Sequence, residues 1–245
     1  MITSVNNERI KQLIKLKNKR QRMLVKEFLV EGEHLVFEAL KSQCVKEIFV
    51  TESFKKDISF KNITIVSEHV LEKLAFSKTP QPIIALCEMQ KHNIDLIQAK
   101  RILLLDNVQD PGNVGTMMRT AIAFGYDALV LSQDSVDLYN DKLIRATQGA
   151  IFKLPVIQVE LDDYIAQLKN HGFICLATSL RNAKAIHEYE NLEKMAFVMG
   201  NEGNGVSEHI QHVTDGGLYI PIQNIESLNV AIAAGIVMQL SLIHI

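Results

Sequence analysis

From Arg101 onward the chain alternates between short apolar runs and longer stretches of helical spacing. ILLLD, ALVLS, PVIQV, FICLAT, AFVMG and YIPI read as short buried strands, with helical patterns between most of them. The alternation predicts an α/β fold whose C-terminal domain is a mostly parallel sheet covered on both faces. The front of the chain has the same grammar on a smaller scale. FLVEGEHLVFEALKSQCVKEIFVTES predicts a strand ending at Glu31 and Gly32, a helix from about Glu33 to Lys41 and a strand over Val45 to Val50. Ile63 to Val66 predict another strand, Ser67 is a helix-cap candidate ahead of EHVLEKLAFS, and IIALCEM follows Pro80 and Pro82 as a further strand. Gln90 to Lys100 is polar and reads as a linker, which places a boundary near residue 98. The expected division is therefore residues 1–98, a basic arm with a small α/β domain and linker, and residues 99–245, the larger sheet domain.

Three of the loops between these elements carry candidate chemistry. In FVMGNEGNGVS the run Phe197 to Met199 ends in Gly200, Gly203 and Gly205, which can take positive φ and bring backbone N–H groups up to a ligand. In YIPIQNIESLNVAIAAGIVMQ the run from Tyr219 to Ile222 is followed by Ser227, Leu228 and Asn229, which open a long apolar helix whose first N–H groups lack internal partners. In NVQDPGNVGTMMRTAIAFG, Pro111 and Gly112 read as a turn, Asn113 as lying just ahead of a helix begun near Val114 or Gly115, and Arg119 as close enough to reach back toward the loop. Glu202, Ser227 and Asn229 also fit an ordinary reading, as caps that accept backbone N–H bonds. The chain has no G-x-G-x-x-G after the strand at Arg101 and no G-x-x-x-x-G-K-[ST], which argues against a dinucleotide fold and an NTPase.

Composition narrows the class. With 245 residues and 47% apolar content the chain is long enough for one large or two smaller cores. Cys44, Cys87 and Cys175 form no C-x-x-C pair and read as buried reduced thiols of a cytoplasmic protein. The eight histidines show no metal-ligand spacing with cysteine, His209 and His212 read as part of a solvated helix, and Asp106, Asp110, Asp134 and Asp137 are assigned to turns; no metal is expected. The first residues lack the apolar core of a secretion signal, and the run after Leu228 is interrupted by Asn229, Gln239, Ser241 and His244, so no membrane span is expected.

The net charge of −2 hides an asymmetry, because residues 1–26 carry +7 and the remainder −9. Ile10, Leu13 and Ile14 fall near helical spacing, so the arm is expected to pack an apolar face and present Lys11, Lys15, Lys17, Lys19, Arg20 and Arg22 to nucleic-acid phosphates. A solvated basic helix is the competing reading.

NVQDPGNVGTMMRTA, FVMGNEGNGVS and IPIQNIESLNVAIAAG resemble, in order and spacing, the three motifs of the SpoU/TrmH family of RNA ribose 2′-O-methyltransferases, in the SPOUT class. LVEGEHLVFEAL resembles the small substrate-binding domain often fused to such enzymes, so the resemblance covers nearly the whole chain. It implies a trefoil knot in the C-terminal domain and S-adenosylmethionine as methyl donor, held by main-chain groups at Gly200, Ile220 and Leu228. It also implies Arg119 as the central catalytic residue, with Asn113, Glu202, Ser227 and Asn229 around it. The implied partners are structured RNA, ribosomal more than transfer RNA, and a second copy of the chain. A non-catalytic RNA-binding or ribosome-assembly protein is the alternative. The third motif is one residue shorter than usual and lacks a glycine, which affects the loop at Gln223 and Asn224, and the chain ends at SLIHI sooner than the closing helix of the family leads one to expect.

Overall fold

Asparagines at two helix starts order the basic arm. Asn7 Oδ1 accepts from the N–H groups of Arg9 and Ile10 at the head of α1 (Glu8–Lys15), and Asn18 Oδ1 accepts from Arg20 N–H at the head of α2 (Lys19–Val25). Ile10, Leu13 and Leu16 are buried and pack with Leu29, Phe49, Val70 and Ile84. The arm is thus an ordered corner of two helices with one apolar side in the core. The computed structural model describes residues 1–179, 183–189 and 193–243, so His244 lies outside the described residues.

After the corner come β1 (Glu27–Glu31), α3 (Glu33–Lys41), β2 (Val45–Val50), β3 (Ile63–Ile65), α4 (Glu68–Leu74) and β4 (Ile83–Glu88). The strands form one sheet in the order β1-β4-β2-β3, with β4 antiparallel to β1 and β2, and β3 parallel to β2. Ser67 caps α4 as expected, accepting from Val70 N–H at 3.4 Å. Gly32, at φ +98°, makes the turn from β1 into α3 that a side-chain-bearing residue adopts only with strain.

The second sheet follows from β5 (Arg101–Leu105), α5 (Pro111–Ala123), β6 (Ala128–Ser132), α6 (Asp141–Thr147), β7 (Val156–Val159), α7 (Leu161–Asn170), β8 (Ile174–Thr178), β9 (Ala183–Lys184), β10 (Met195–Met199), α8 (Glu208–Val213), β11 (Gly216–Leu218) and α9 (Val230–Ile243). Its order is β7-β6-β5-β10-β8-β11-β9, and every pairing is parallel. Ile102 to Leu105 and Met195 to Val198 are essentially inaccessible, which is why these strands read as unbroken apolar runs. One strand differs from expectation. Pairing stops at Leu218, and YIPI is irregular; Pro221 has no N–H to continue a ladder.

The chain divides into two compact units, Met1–Lys91 with Asp137–Phe152, and His92–Val136 with the chain from Lys153 onward. In the first unit Tyr139 packs on Phe28 with ring centroids 4.6 Å apart, and Asp137 accepts from Arg22 Nη2. Asp137 is therefore an ion-pair partner and more than a turn residue. In the second, Ile94, Leu96 and Ala99 of the polar stretch pack against the core formed by Ile102, Leu104, Ile165 and Phe173.

The Arg22 pair corrects the expectation for that residue. Its side chain is buried, and Nη1 donates to the carbonyls of Leu16 at 2.7 Å and Lys17 at 2.9 Å. It closes the α1–α2 corner and is not available to a phosphate. Arg22→Ala leaves Asp137 and two carbonyls without their donor and is expected to cost about 3 kcal/mol or more, read as a lower urea midpoint at unchanged slope. Wild-type stability for this variant would contradict the staple role.

Candidate active site

The first candidate loop begins where β5 ends. Asp110 caps α5 by accepting from Asn113 N–H at 2.8 Å, and Pro111 occupies the first helical turn, where its missing N–H costs nothing. The helix therefore starts earlier than Val114, and Asn113 lies inside its first turn. The rule that favours an acidic cap followed by proline would have located this start.

The Gly-rich loop is laced along the end of β5. Asp106 N–H donates to Met199 O at 2.8 Å, and the buried Asp106 carboxylate accepts from both Ser207 N–H and Ser207 Oγ at 2.7 Å. Asn201 Nδ2 donates to Asn107 O at 2.8 Å, while its Oδ1 accepts from the N–H groups of Gly203 and Asn204. Asn201 and Gly205 exchange both main-chain hydrogen bonds, and Gly205 takes φ +69°. Gly200 lies at the narrowest point: a Cβ there would stand 2.0 Å from Gly205 C and Val206 N. A larger residue at this position would therefore disturb the fold of the loop itself as well as any ligand beside it.

Glu202 joins the three loops. Its carboxylate accepts from Asp110 N–H at 3.1 Å, Gln109 N–H at 3.3 Å and Asn113 Nδ2 at 3.1 Å. Asn113 Oδ1 in turn accepts from Asn229 Nδ2 at 3.0 Å, and Asn229 Oδ1 caps α9 by accepting from Ala231 and Ile232 N–H. Glu202 and Asn229 are thus caps and cross-links at once. Residues separated by 89 and 116 positions in sequence become one hydrogen-bonded chain.

Partial burial pushes the Glu202 carboxyl upward, but the hydrogen bonds from Asn113 and the main chain at Glu202, Asp110 and Gln109 outweigh it and hold the pKa below its ordinary value. A depressed carboxylate contributes order that is complete above the ordinary glutamate value, about 4.3, and lost as pH falls through the lowered one. Amide resonances of Gln109 and Asp110 should accordingly stay constant from neutral pH to about 4.3 and shift only below it. A transition centred higher would remove the ionised cross-link.

Arg119 is on α5 but outside this network. It is exposed, and its guanidinium makes no hydrogen bond or ion pair among the described residues. Ser227 is also exposed and without a side-chain hydrogen bond among them. Ile220 and Leu228 flank an exposed stretch from Gln223 to Ser227, and their main-chain groups have no main-chain partner among the described residues. Asn224 takes φ +65° within this stretch. Main-chain donors and acceptors without a main-chain partner are the kind of groups that can read a small ligand. Asp106, Asn107, Gln109 and Asn201 are site residues that sequence reasoning missed. Only Asn201, beside the glycines, carried a local signal.

α9 packs on α5, and Gly235 meets Thr120 Cγ2 at an ordinary distance of 3.7 Å for an added Cβ. Ala231 and Ala234 are buried. Part of the small-residue content of α9 thus serves this internal packing. Among the described residues no helix is long and apolar enough to cross a membrane.

Comparison with known proteins places these loops in context. Residues 100–239 match the SpoU rRNA Methylase family, and residues 7–85 match the MRM3-like substrate binding domain. The chain is 41% identical over 240 residues, 96% of each chain, to the 23S rRNA (guanosine(2553)-2′-O)-methyltransferase RlmP of Bacillus subtilis. Among solved structures it is similar to an AdoMet-bound rRNA methyltransferase from Sinorhizobium meliloti, with TM-score 0.87, 26% identity and coverage of 100% of this chain and 97% of that one. It is also similar to an RNA 2′-O ribose methyltransferase, with TM-score 0.82, 28% identity and coverage of 99% and 98%.

Proposed function

We propose, since this chain belongs to the SpoU rRNA methylase family and is an S-adenosylmethionine-dependent RNA ribose 2′-O-methyltransferase, that its substrate is ribosomal RNA of the large subunit. The similarity to the Bacillus subtilis enzyme along 96% of both chains supports the choice of RNA. The observation that carries the active-site assignment is the Glu202–Asn113–Asn229 chain, which ties all three motifs together on the helix that also bears the exposed Arg119.

When bound, S-adenosylmethionine supplies an electrophilic methyl group on a sulfonium. The main-chain groups at Gly200, Ile220 and Leu228 would hold the donor in this reading, and the laced loop fixes the position of Gly200. Such positioning is worth ~7 kcal/mol or more in well-oriented systems. The ribose oxygen must lose its proton as it attacks, and an arginine with a pKa above ~12 is a poor base. Arg119 therefore clamps an RNA phosphate and stabilises the developing alkoxide, and the proton passes to a phosphate oxygen or water. Ser227 lies ahead of the capping Asn229 and is assigned to the same reacting groups.

In the first unit, Lys15, Lys19 and Arg20 are exposed and make no ion pair among the described residues, so they are the phosphate contacts of the arm. Lys11 is paired with Glu8 at 2.9 Å and Lys17 Nζ donates to Ala75 O at 2.6 Å, which makes them weaker candidates. The division into a substrate-binding domain over 1–98 and a knotted methyltransferase domain over 99–245 belongs to the same reading. So does a homodimer, supported by exposed Ile122, Ile232 and Leu242 on α5 and α9. The buried free thiols Cys44, Cys87 and Cys175 suit a reducing cytoplasm.

The test is a map of ribose methylation in cellular RNA with and without the protein. Loss of one 2′-O-methyl group from large-subunit rRNA is expected. Loss from tRNA alone would replace the substrate, and no loss in any RNA would favour a non-catalytic role.

A further inference from the structure

Leu24 is 75% exposed, and Met23 and Val25 beside it are 43% and 41% exposed. Three consecutive large apolar residues at the end of a helix serve no core, yet the helix is fixed. Arg22 binds two carbonyls of the corner, and Ile10 and Leu13 anchor α1. Leu24 helps line a shallow, open surface concavity with Lys15, Asn18, Arg20 and Gln21. Every lining side chain suits one part of an unpaired nucleotide. Leu24 offers an aliphatic surface to a base face, and Arg20 a planar guanidinium that stacks and carries charge. The Asn18 Nδ2 and Gln21 amides have no partner among the described residues and suit the hydrogen-bonding edge of a base. Lys15, on the last turn of α1, suits the adjoining phosphate. The lining includes no acidic residue to oppose a polyanion.

We propose that this concavity receives one unpaired nucleotide of the RNA substrate, its base against Leu24 and Arg20 and its phosphate at Lys15. The proposal rests on the RNA methyltransferase reading and adds a base-reading position to an arm otherwise expected to contact only phosphates. Cations alone leave the exposed Leu24 without a purpose. A base accounts for the apolar and amide groups together.

The experiment compares a short oligoadenylate with an abasic oligomer of equal length on the full chain, by fluorescence anisotropy across a salt series. The wild type should bind the oligoadenylate roughly tenfold tighter. Leu24→Ser, a change at an exposed position, should remove most of that preference and keep the salt slope. Lys15→Ala should keep the preference and flatten the slope by about 0.7, the value for a single strand. An unchanged preference in Leu24→Ser overturns the proposal. So does an unchanged preference combined with lost self-association in light scattering, which would assign the patch to a second copy. S-adenosylmethionine binding, measured by calorimetry on the same samples, separates the two readings: absent donor binding defeats the enzyme assignment, whereas intact donor binding without base preference defeats the nucleotide site alone.

Discussion

Arg119→Ala is expected to lower the single-turnover rate of ribose methylation by roughly 100- to 1,000-fold, the range for removing one preorganised donor from a developing oxyanion. Its melting temperature and donor affinity should stay near those of the parent. The side chain is exposed, so its removal breaks no hydrogen bond or ion pair among the described residues. A group that acts only on the reacting ribose and its phosphate lowers the rate at saturating donor and RNA more than it weakens binding. Arg119→Lys keeps the charge and loses the planar fork, and should restore part of the rate. The assay is single-turnover methylation of the substrate RNA with a melting curve for each variant. A stable Arg119→Ala protein methylating at the parent rate would remove this residue from the mechanism.

Gly200→Ala should abolish donor binding and destabilise the protein together, by about 3 kcal/mol at the upper end of overpacking. The added Cβ meets main-chain atoms at 2.0 Å, and backbone held by the Asn201–Gly205 hydrogen bonds cannot step aside as a flexible side chain would. Relief requires opening the loop that carries Glu202, which breaks the link to Asn113. Gly203→Ala is the control, because its nearest neighbour is Asn201 Oδ1 at 3.6 Å, an ordinary contact. That variant should melt and bind donor like the parent. Calorimetry and a melting curve decide it: tight donor binding by Gly200→Ala would show that the loop tolerates a different path.

The strands over Arg101–Leu105, Ala128–Ser132 and Met195–Met199 were legible because a strand buried on both faces leaves an unbroken apolar run, whatever lies beside it. The cap at Ser67, and the three loop motifs, were legible for a similar reason: the residues that solve a local backbone problem stand next to it in the chain. Local signals were misread where one residue type solves two problems. Pro111 ends a strand connection and also begins a helix, and only the Asp110 cap distinguishes them. The chain determined by itself the α/β class, the family resemblance and the three loops that come together, but not Asp106, Asn107 and Gln109, which carry no local signal and join the network only in the fold.

Which of those residues touch one another was decided by the tertiary structure. Parallel order β5-β10 lays the Gly-rich loop along Asp106–Asp110, so that Glu202 caps a helix start far away in sequence while Arg119 stays exposed and outside the network. The arm shows the same limit. Charge along residues 1–26 cannot distinguish Arg22, buried with Asp137 and two carbonyls, from Arg20, exposed beside Leu24. Both are arginines in one basic run. Burial is a property of what packs against a side chain, and for Arg22 the partner is Asp137, separated from it by 115 positions in the sequence.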